Sequence, residues 1–494
     1  MASPNTVIII GGGLAGLCAS HTALGAGAKV VLLDKKPSLG GNSVKASSGI
    51  NGAATEAQRK HDISDSVELF FDDTKASAGS LVRPNLIQAL TSNSADALTW
   101  LTSRFDIDLS QVSRLGGHSV PRTHRGSGGA PGWVMTSALI KKLQELASAE
   151  PDRMKITQDA KVTRLLEDKE GKVVGVEYEK GGSKYEERAD TVIVATGGYA
   201  ADFSDQGLLF KHRPELLDLP TASGDHATGD GLRLAASLQK PAALLDIDQV
   251  QVHPTGAKLL LFADLMKSSP GFDTLGFVDP KSPSSRTKFL AAEALRGVGG
   301  ILINKHGERF VNELETRDVV SARMHELIKA GEAPVRLILN EESAGVLKSH
   351  WPSNINNTLA LGDFYLAKGL MKRYDSGEQL AIDGNLPLEK LRKTFESHSL
   401  YGEGKATDPL GKRHFDNPFY AIDRPILVAE ITPTMGGISV DASARVLDTQ
   451  GNPIPSLYAA GEAIGGVHGR NRLGGSSLLE AVVFGRIAGE AAAI

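Results

Sequence analysis

Hydrophobic positions along this chain fall into two kinds of run. Short apolar, largely β-branched runs end on glycine. Val7 to Ile10 leads into Gly11-x-Gly13-x-x-Gly16, Asp190-Thr-Val-Ile-Val-Ala-Thr-Gly-Gly198 closes on two glycines, and Pro455-Ser-Leu-Tyr-Ala-Ala-Gly461-Glu462 repeats the form late in the chain. A fourth run, Lys29 to Leu33, stops at Asp34. Runs of this length and composition predict buried strands of a parallel sheet. Elsewhere the period is helical. Residues 64 to 105, with Leu86, Leu90, Ala97, Leu98 and Leu101 on one face, predict helices. Val320 to Lys329 and Ala360 to Tyr374 also predict helices, and Leu386 to Leu400 an amphipathic one. Lys155 to Leu166 and Val173 to Tyr178 predict a small antiparallel sheet. Arg470 to Ser477 opens a last helix that runs to Ile494. Strand and helix so far from residue 6 that still match its pattern imply a domain interrupted by an insertion.

The first strand and its glycines carry the first chemistry. Gly11, Gly13 and Gly16 allow a tight turn, close approach of backbone to a pyrophosphate and close packing of helix on strand. Free N–H groups in the first turn of the following helix then face an anion. Asp34, at the end of the second strand, stands where an acid accepts hydrogen bonds from a ribose. Two small-residue stretches follow, Lys35 to Ser43 and Ala46 to Gly52, and suit the walls of an extended cofactor. Gly116 to Gly132, with His118, Arg122, His124 and Arg125, reads either as a mobile loop or as a rim of that site. Asp230 opens a helix, placed to meet either the helix dipole or the cofactor.

Composition narrows the picture. The 494 residues exceed one ordinary core, so two or more domains are expected. There are 54 glycines, about 11% against ~7% in an average chain, so many turns approach something closely. A net charge of −4 and the lack of a basic stripe argue against nucleic acid. Cys18 is the one cysteine, which excludes an internal disulfide, a cysteine-held iron–sulfur cluster and a C-x-x-C-H haem site, and no metal site is read. No apolar stretch is long enough for a membrane span, and the first strand starts too early for a leader, so a soluble, cytoplasmic protein is expected.

From Asp246 the sequence turns to polar chemistry on irregular segments. His253 precedes Pro254 at a turn position and, on its own, is more often structural than functional. Glu293 and Arg296 are three residues apart and share a helical face, where local spacing favours a surface ion pair over a catalytic one.

Taken together these residues resemble the flavoprotein family of fumarate reductases and succinate dehydrogenases, above all the soluble fungal type. The matching motifs are Gln251-Val-His-Pro-Thr-Gly256, Ala292-Glu293-x-x-Arg296-Gly297, Arg309-Phe-Val-Asn312 with Thr316-Arg317-Asp318, Thr434-Met-Gly-Gly437, and Gly461-Glu462 with Asn471-Arg472-Leu-Gly-Gly475. The resemblance implies an α/β, Rossmann-like FAD-binding domain, residues 1–247 and 433–494, interrupted by an α+β capping domain, residues 248–432. It implies reduction of fumarate to succinate by an oxidoreductase acting on a CH–CH bond. Arg317 would donate the proton, with Glu293 and Arg296 relaying its replacement. Arg472, His253, Ser48 and Gly475 would hold the substrate. FAD would meet Gly11, Gly13, Ala15, Gly16, Asp34, Lys35, Asn42 and Ser43. Further along the chain it would meet Ser48, Gly49, Asn51, Gly52, Val162, Thr196, Gly197, Asp230, Glu462, Ser477 and Leu478. Membrane-bound relatives attach FAD through a His after the second strand; Ser43-Val-Lys-Ala-Ser47 has none, so FAD is expected to be non-covalent. Electrons are expected from a separate donor, a reduced flavin or a reductase. The family pattern is interrupted twice, by the added Ala257 to Gly276 and by Thr432-Pro433 standing where a substrate-binding His precedes Thr-Met-Gly-Gly. An oxidase or dehydrogenase of another dicarboxylate or an enone, or a flavin-binding homologue with an impaired site, are the alternative readings.

Overall fold

The computed structural model describes residues 4–214, 217, 221, 223–250, 293–332, 334–350, 366, 371–415, 419, 426–429 and 437–494. Thr6–Ile10 lies inside a six-stranded sheet, parallel to Lys29–Leu33 on one side and to Thr191–Val194 on the other. Met154–Thr157 extends the sheet past Lys29–Leu33, and Pro453–Ala459 extends it past Thr191–Val194, both in parallel. Arg445–Leu447 closes one edge in the antiparallel sense. Val7 to Ile10 and Val192 to Val194 are buried, as continuous apolar runs in a parallel sheet must be.

Met154–Thr157 therefore corrects one expectation, since the run from Lys155 to Leu166 was read as one strand of an antiparallel sheet. The backbone breaks at Asp159, which has a φ of 54°. Residues before it pair in the parallel sheet; Lys161–Glu167 after it pairs with Val173–Lys180, which pairs in turn with Ser183–Arg188. The polar stretch Thr157-Gln158-Asp159 marks the turn, and the strands on either side of it go to different sheets.

Two helices press on the sheet and on each other. Leu14–Gly25 follows the first strand, and Ser476–Ala493 ends the chain. Their backbones come close because the contact is made of small residues: a Cβ on Gly485 would lie 2.5 Å from the Ala15 carbonyl oxygen, and one on Gly489 would lie 2.5 Å from that of Ala19. The expected helices between 64 and 105 form as Val67–Ala78, Pro84–Ser92 and Ser94–Phe105.

The described residues between 293 and 429 build a second layer. Ile301–Ile303, Arg336–Asn340, Ile426–Ala429 and Lys372–Tyr374 form an antiparallel sheet in that order, beside helices that include Arg317–Lys329 and Leu388–Gly402. Lys372–Tyr374 had been read as the end of a helix from Ala360; pairing with Ile426–Ala429 overrides the local period there. Most of 360–371 lies outside the described residues. The apolar cores divide the same way: the largest uses residues up to Val250 and from Ile438 on, and two smaller ones use residues between Ala294 and Phe419. The strand pair Leu244–Leu245 with Gly437–Ile438 ties the chain together where it leaves the first layer and returns.

Candidate cofactor cradle and arginine cluster

The loop after the first strand is held open from below. Gly11 has a φ of 106°, a conformation that L side chains rarely adopt, and a Cβ on Gly16 would overlap the Gly11 carbonyl oxygen. Both glycines are required by the turn itself. Gly13 differs: a Cβ there would meet only Ser43 Oγ, at 3.9 Å, so the space above it is open. The helix that starts at Leu14 has no side-chain cap and no acid in its first turn, leaving its positive end for an outside anion. Asp34 secures the turn: Gly12 N–H donates to Oδ2 at 2.7 Å and Lys36 N–H to Oδ1 at 2.8 Å. Each carboxylate oxygen keeps a second lone pair for a ribose hydroxyl.

The other expected cofactor residues gather round this turn. Leu14 N–H donates to Ser43 Oγ at 3.3 Å, and a Cβ on Gly11 would lie 3.0 Å from Thr196 Cα. A Cβ on Gly461 would stand 2.7 Å from Ala15 Cβ, and one on Gly198, beside Gly197, 3.2 Å from Glu462 Oε1. Lys35 Nζ donates to Asp230 Oδ2 at 2.7 Å and to Thr228 Oγ1 at 2.9 Å, so Asp230 answers a lysine instead of capping its own helix. Asn42 Oδ1 accepts from Gly224 N–H at 2.8 Å. Val162 is buried two residues past Ala160, whose N–H donates to the Asp34 carbonyl at 2.8 Å. Asn51 is fully buried and its amide is used up inside the protein, donating to the Gly474 carbonyl at 2.7 Å and Ser476 Oγ at 2.9 Å and accepting from Thr123 at 2.7 Å. It thereby ties the second wall, with Ser48, Gly49 and Gly52, to the start of the last helix, where Gly475, Ser477 and Leu478 sit. Thr196 Oγ1 and Ser47 Oγ are buried and find no partner among the described residues. Orphaned hydroxyls of this kind, an open Gly13 and an uncapped helix start fit a dinucleotide such as FAD.

Next to the cradle is a buried charge cluster. Glu293 and Arg296 are each only 1% exposed, so their ion pair is not the surface pair that local spacing favoured. Glu293 Oε1 accepts from Arg296 Nη2 at 3.1 Å, while Oε2 accepts from Arg317 Nε at 2.9 Å and also from Arg317 Nη2. One carboxylate thus bridges two guanidiniums contributed by the Ala294–Gly297 turn and by the start of Arg317–Lys329. Burial pushes the Arg296 pKa below the usual arginine value, and Arg317 adds to the push. Burial likewise lowers that of Arg472, with Arg317 acting in the same direction and Glu462 against it, and raises that of the Glu462 carboxyl. A cleft lined by Asp246, Gln249, Glu462, His468, Arg472 and Glu480 opens beside Arg472.

The Gly116–Gly132 segment is no loose loop. His118, Arg122, His124 and Arg125 are all buried. Arg122 pairs with Asp65, Nη2 to Oδ1 at 2.9 Å, and with Asp73. Asp65, Asp73 and the His468–Glu480 pair at 3.2 Å were missed from sequence, because partners separated by 57, 49 and 12 residues leave no local spacing to read. His253, the insertion Ala257 to Gly276 and Thr432-Pro433 lie outside the described residues.

A parallel sheet that opens on a glycine turn, with an acid closing its second strand and a last helix returning to the same end, defines a dinucleotide-binding α/β protein. The chain belongs to the FAD binding domain family, which it matches over residues 6–478. It is 43% identical over 498 residues to the fumarate reductase of Schizosaccharomyces pombe, covering 99% of this chain and 90% of that one. It is 42% identical over 504 residues to fumarate reductase 1 of Saccharomyces cerevisiae, covering 99% of both. Among solved structures it is similar to the open conformation of a flavocytochrome c3 fumarate reductase, with a TM-score of 0.69 and 30% identity over 99% of this chain and 78% of that one. The family resemblance carried by the motifs is borne out.

Proposed function

We propose that this protein is a flavoprotein oxidoreductase that reduces fumarate to succinate. The observation that carries the reading is the Glu293 carboxylate gripping Arg296 and Arg317 beside Arg472, in a chain similar over nearly its whole length to fumarate reductases. Bound FAD supplies the hydride. The chain's own residues do the rest. Arg472 clamps one substrate carboxylate through its fork of N–H donors; the family resemblance gives the other to His253, with Ser48 and Gly475 as further substrate residues. Arg317 gives a proton to the second alkene carbon. Guanidinium holds its proton tightly, and Glu293, which touches both arginines, can return a proton from the Arg296 side. The large apolar core on one side, and the two smaller ones between Ala294 and Phe419 on the other, support a flavin domain, 1–247 with 433–494, and a capping domain, 248–432. FAD is held without a covalent bond, since Ser43 to Ser47 offers no His. Electrons come from a separate donor. Among the described residues no helix is long and apolar enough to cross a membrane.

The test is stopped-flow reoxidation of the photoreduced holoenzyme by fumarate, crotonate, acrylate and an enone. Fumarate should reoxidise the flavin fastest. Faster reoxidation by a monocarboxylate or the enone would replace the dicarboxylate reading with one of the alternatives.

A further inference from the structure

His118 lies where the Gly116–Gly132 segment meets the turn that carries Arg472. Its ring is 6% exposed and its two nitrogens face opposite chemistry. Nδ1 stands 3.3 Å from Arg122 Nη1, and Nε2 stands 2.9 Å from the Gly474 carbonyl oxygen. A guanidinium has donors only, so Nδ1 must be the acceptor and the ring proton must sit on Nε2. The tautomer is therefore fixed by the surroundings, and Nε2–H donates to Gly474. Arg122 is itself held by Asp65, Nε to Oδ2 at 3.0 Å and Nη2 to Oδ1 at 2.9 Å, and by Asp73, and its guanidinium lies over the Phe70 ring. Burial and the neighbouring guanidinium keep the imidazole neutral, with a pKa lowered to about 4.

What His118 holds bears on the arginine cluster. The Gly474 carbonyl also accepts from Asn51 Nδ2 at 2.7 Å. On its other side Gly474 has no room for a side chain: a Cβ would lie 2.6 Å from Glu293 Oε2, the oxygen that grips Arg317. The backbone from Arg472 to Gly475 thus threads between His118 and Glu293. Its carbonyl is pinned on one flank and its Cα rests against the relay carboxylate on the other.

We infer that His118 is a positioning residue for fumarate reduction: by fixing the Gly474 carbonyl it sets both the Arg472 guanidinium and the wall against which the Glu293 carboxylate stands. The inference deepens the proposed function and rests on it for the substrate. It assigns a role to a histidine whose two ring nitrogens are both engaged by the protein.

Two amide substitutions separate this role from general packing. In His118→Asn the side-chain oxygen can still accept from Arg122, but the amide is too short to replace Nε2. In His118→Gln the amide nitrogen reaches the Gly474 carbonyl. The holoenzyme of the Asn variant should keep its FAD and lose on the order of tenfold to a hundredfold in fumarate-dependent reoxidation, the scale of a misplaced binding group, with weaker substrate binding. The Gln variant should stay within about threefold of the parent, the span of an interaction restored with imperfect geometry. Backbone hydrogen exchange over 472–475 supplies a readout that needs no substrate, and should be faster in the Asn variant and parental in the Gln variant. Equal effects of the two substitutions on exchange and rate, whether both small or both large, would overturn the inference. A parent holoenzyme that fumarate fails to reoxidise would sink the substrate reading alone, and the exchange comparison would still decide whether His118 pins Gly474.

Discussion

A buried carboxylate between two guanidiniums keeps a partner when one of them is removed. Glu293 has both oxygens committed, to Arg296 at 3.1 Å and to Arg317 at 2.9 Å. Arg317 is the more exposed of the two arginines, its side chain 11% accessible against 1% for Arg296, as befits the member that would face a substrate. Replacing Arg317 by Ala should therefore leave FAD bound and lower fumarate-dependent reoxidation by ~10²- to 10⁴-fold, the usual share of general acid catalysis. A loss smaller than tenfold would place the proton donor elsewhere. The motif around Arg317 was legible in sequence, but its burial was not: three-residue spacing of opposite charges is common on helix surfaces, and only the packing of Gly116 and Gly474 against Glu293 makes this pair an interior one.

At the scale of elements, the glycine turn separates binding from folding. A Cβ on Gly13 enters open space, whereas one on Gly16 would overlap the Gly11 carbonyl. Gly13→Val should thus give a protein with little FAD and the unfolding temperature of parental apoprotein, and Gly16→Ala a protein that loses FAD and unfolds below that temperature. Flavin absorbance together with thermal unfolding checks the contrast, and a yellow, fully loaded Gly13→Val protein would remove the turn from the binding site. In the next loop, Ser43 to Ser47, acid precipitation of the holoenzyme should release all the yellow colour into the supernatant; colour left in the pellet would mean a covalent link. Strand runs ending on glycine were the most readable part of the chain, because a parallel sheet leaves no solvent face to dilute the apolar pattern. The division of Lys155 to Leu166 between two sheets was not read, since the polar Thr157-Gln158-Asp159 that carries the turn says nothing of which partner each side pairs with. Nor was Lys372–Tyr374, three residues whose strand depends on a partner more than fifty residues away.

For the whole molecule, burial of neutral histidines sets an acid limit. His21, His118 and His124 have pKa values lowered to about 4, and His398 to about 3, burial being the largest cause in each. Unfolded, each would titrate near 6.5. Between those values the unfolded chain binds protons that the folded chain does not, so stability is complete above pH 6.5 and falls as pH drops toward 4. Each histidine adds a slope of roughly 1.4 kcal/mol per pH unit inside the window. Urea midpoints at pH 7.5, 6.0 and 5.0 should decline steadily, and a flat series would mean these rings are protonated in the folded state. The residues responsible span His21 to His398, so the loss involves both layers at once.

The close seat of Ser476–Ala493 on Leu14–Gly25 also fixes when the protein can acquire its cofactor during biosynthesis. The glycine turn is made several hundred residues before Glu462, Gly475 and the helix that packs on Ala15 and Ala19, and Thr191 Oγ1 reaches the Ala492 carbonyl at 2.8 Å. A nascent chain still lacking residues 453–493 has neither the outer parallel strand nor the last helix, and its first helix presents bare apolar surface. Flavin capture is thereby deferred until residues 453–493 have been made, long after the glycine turn itself.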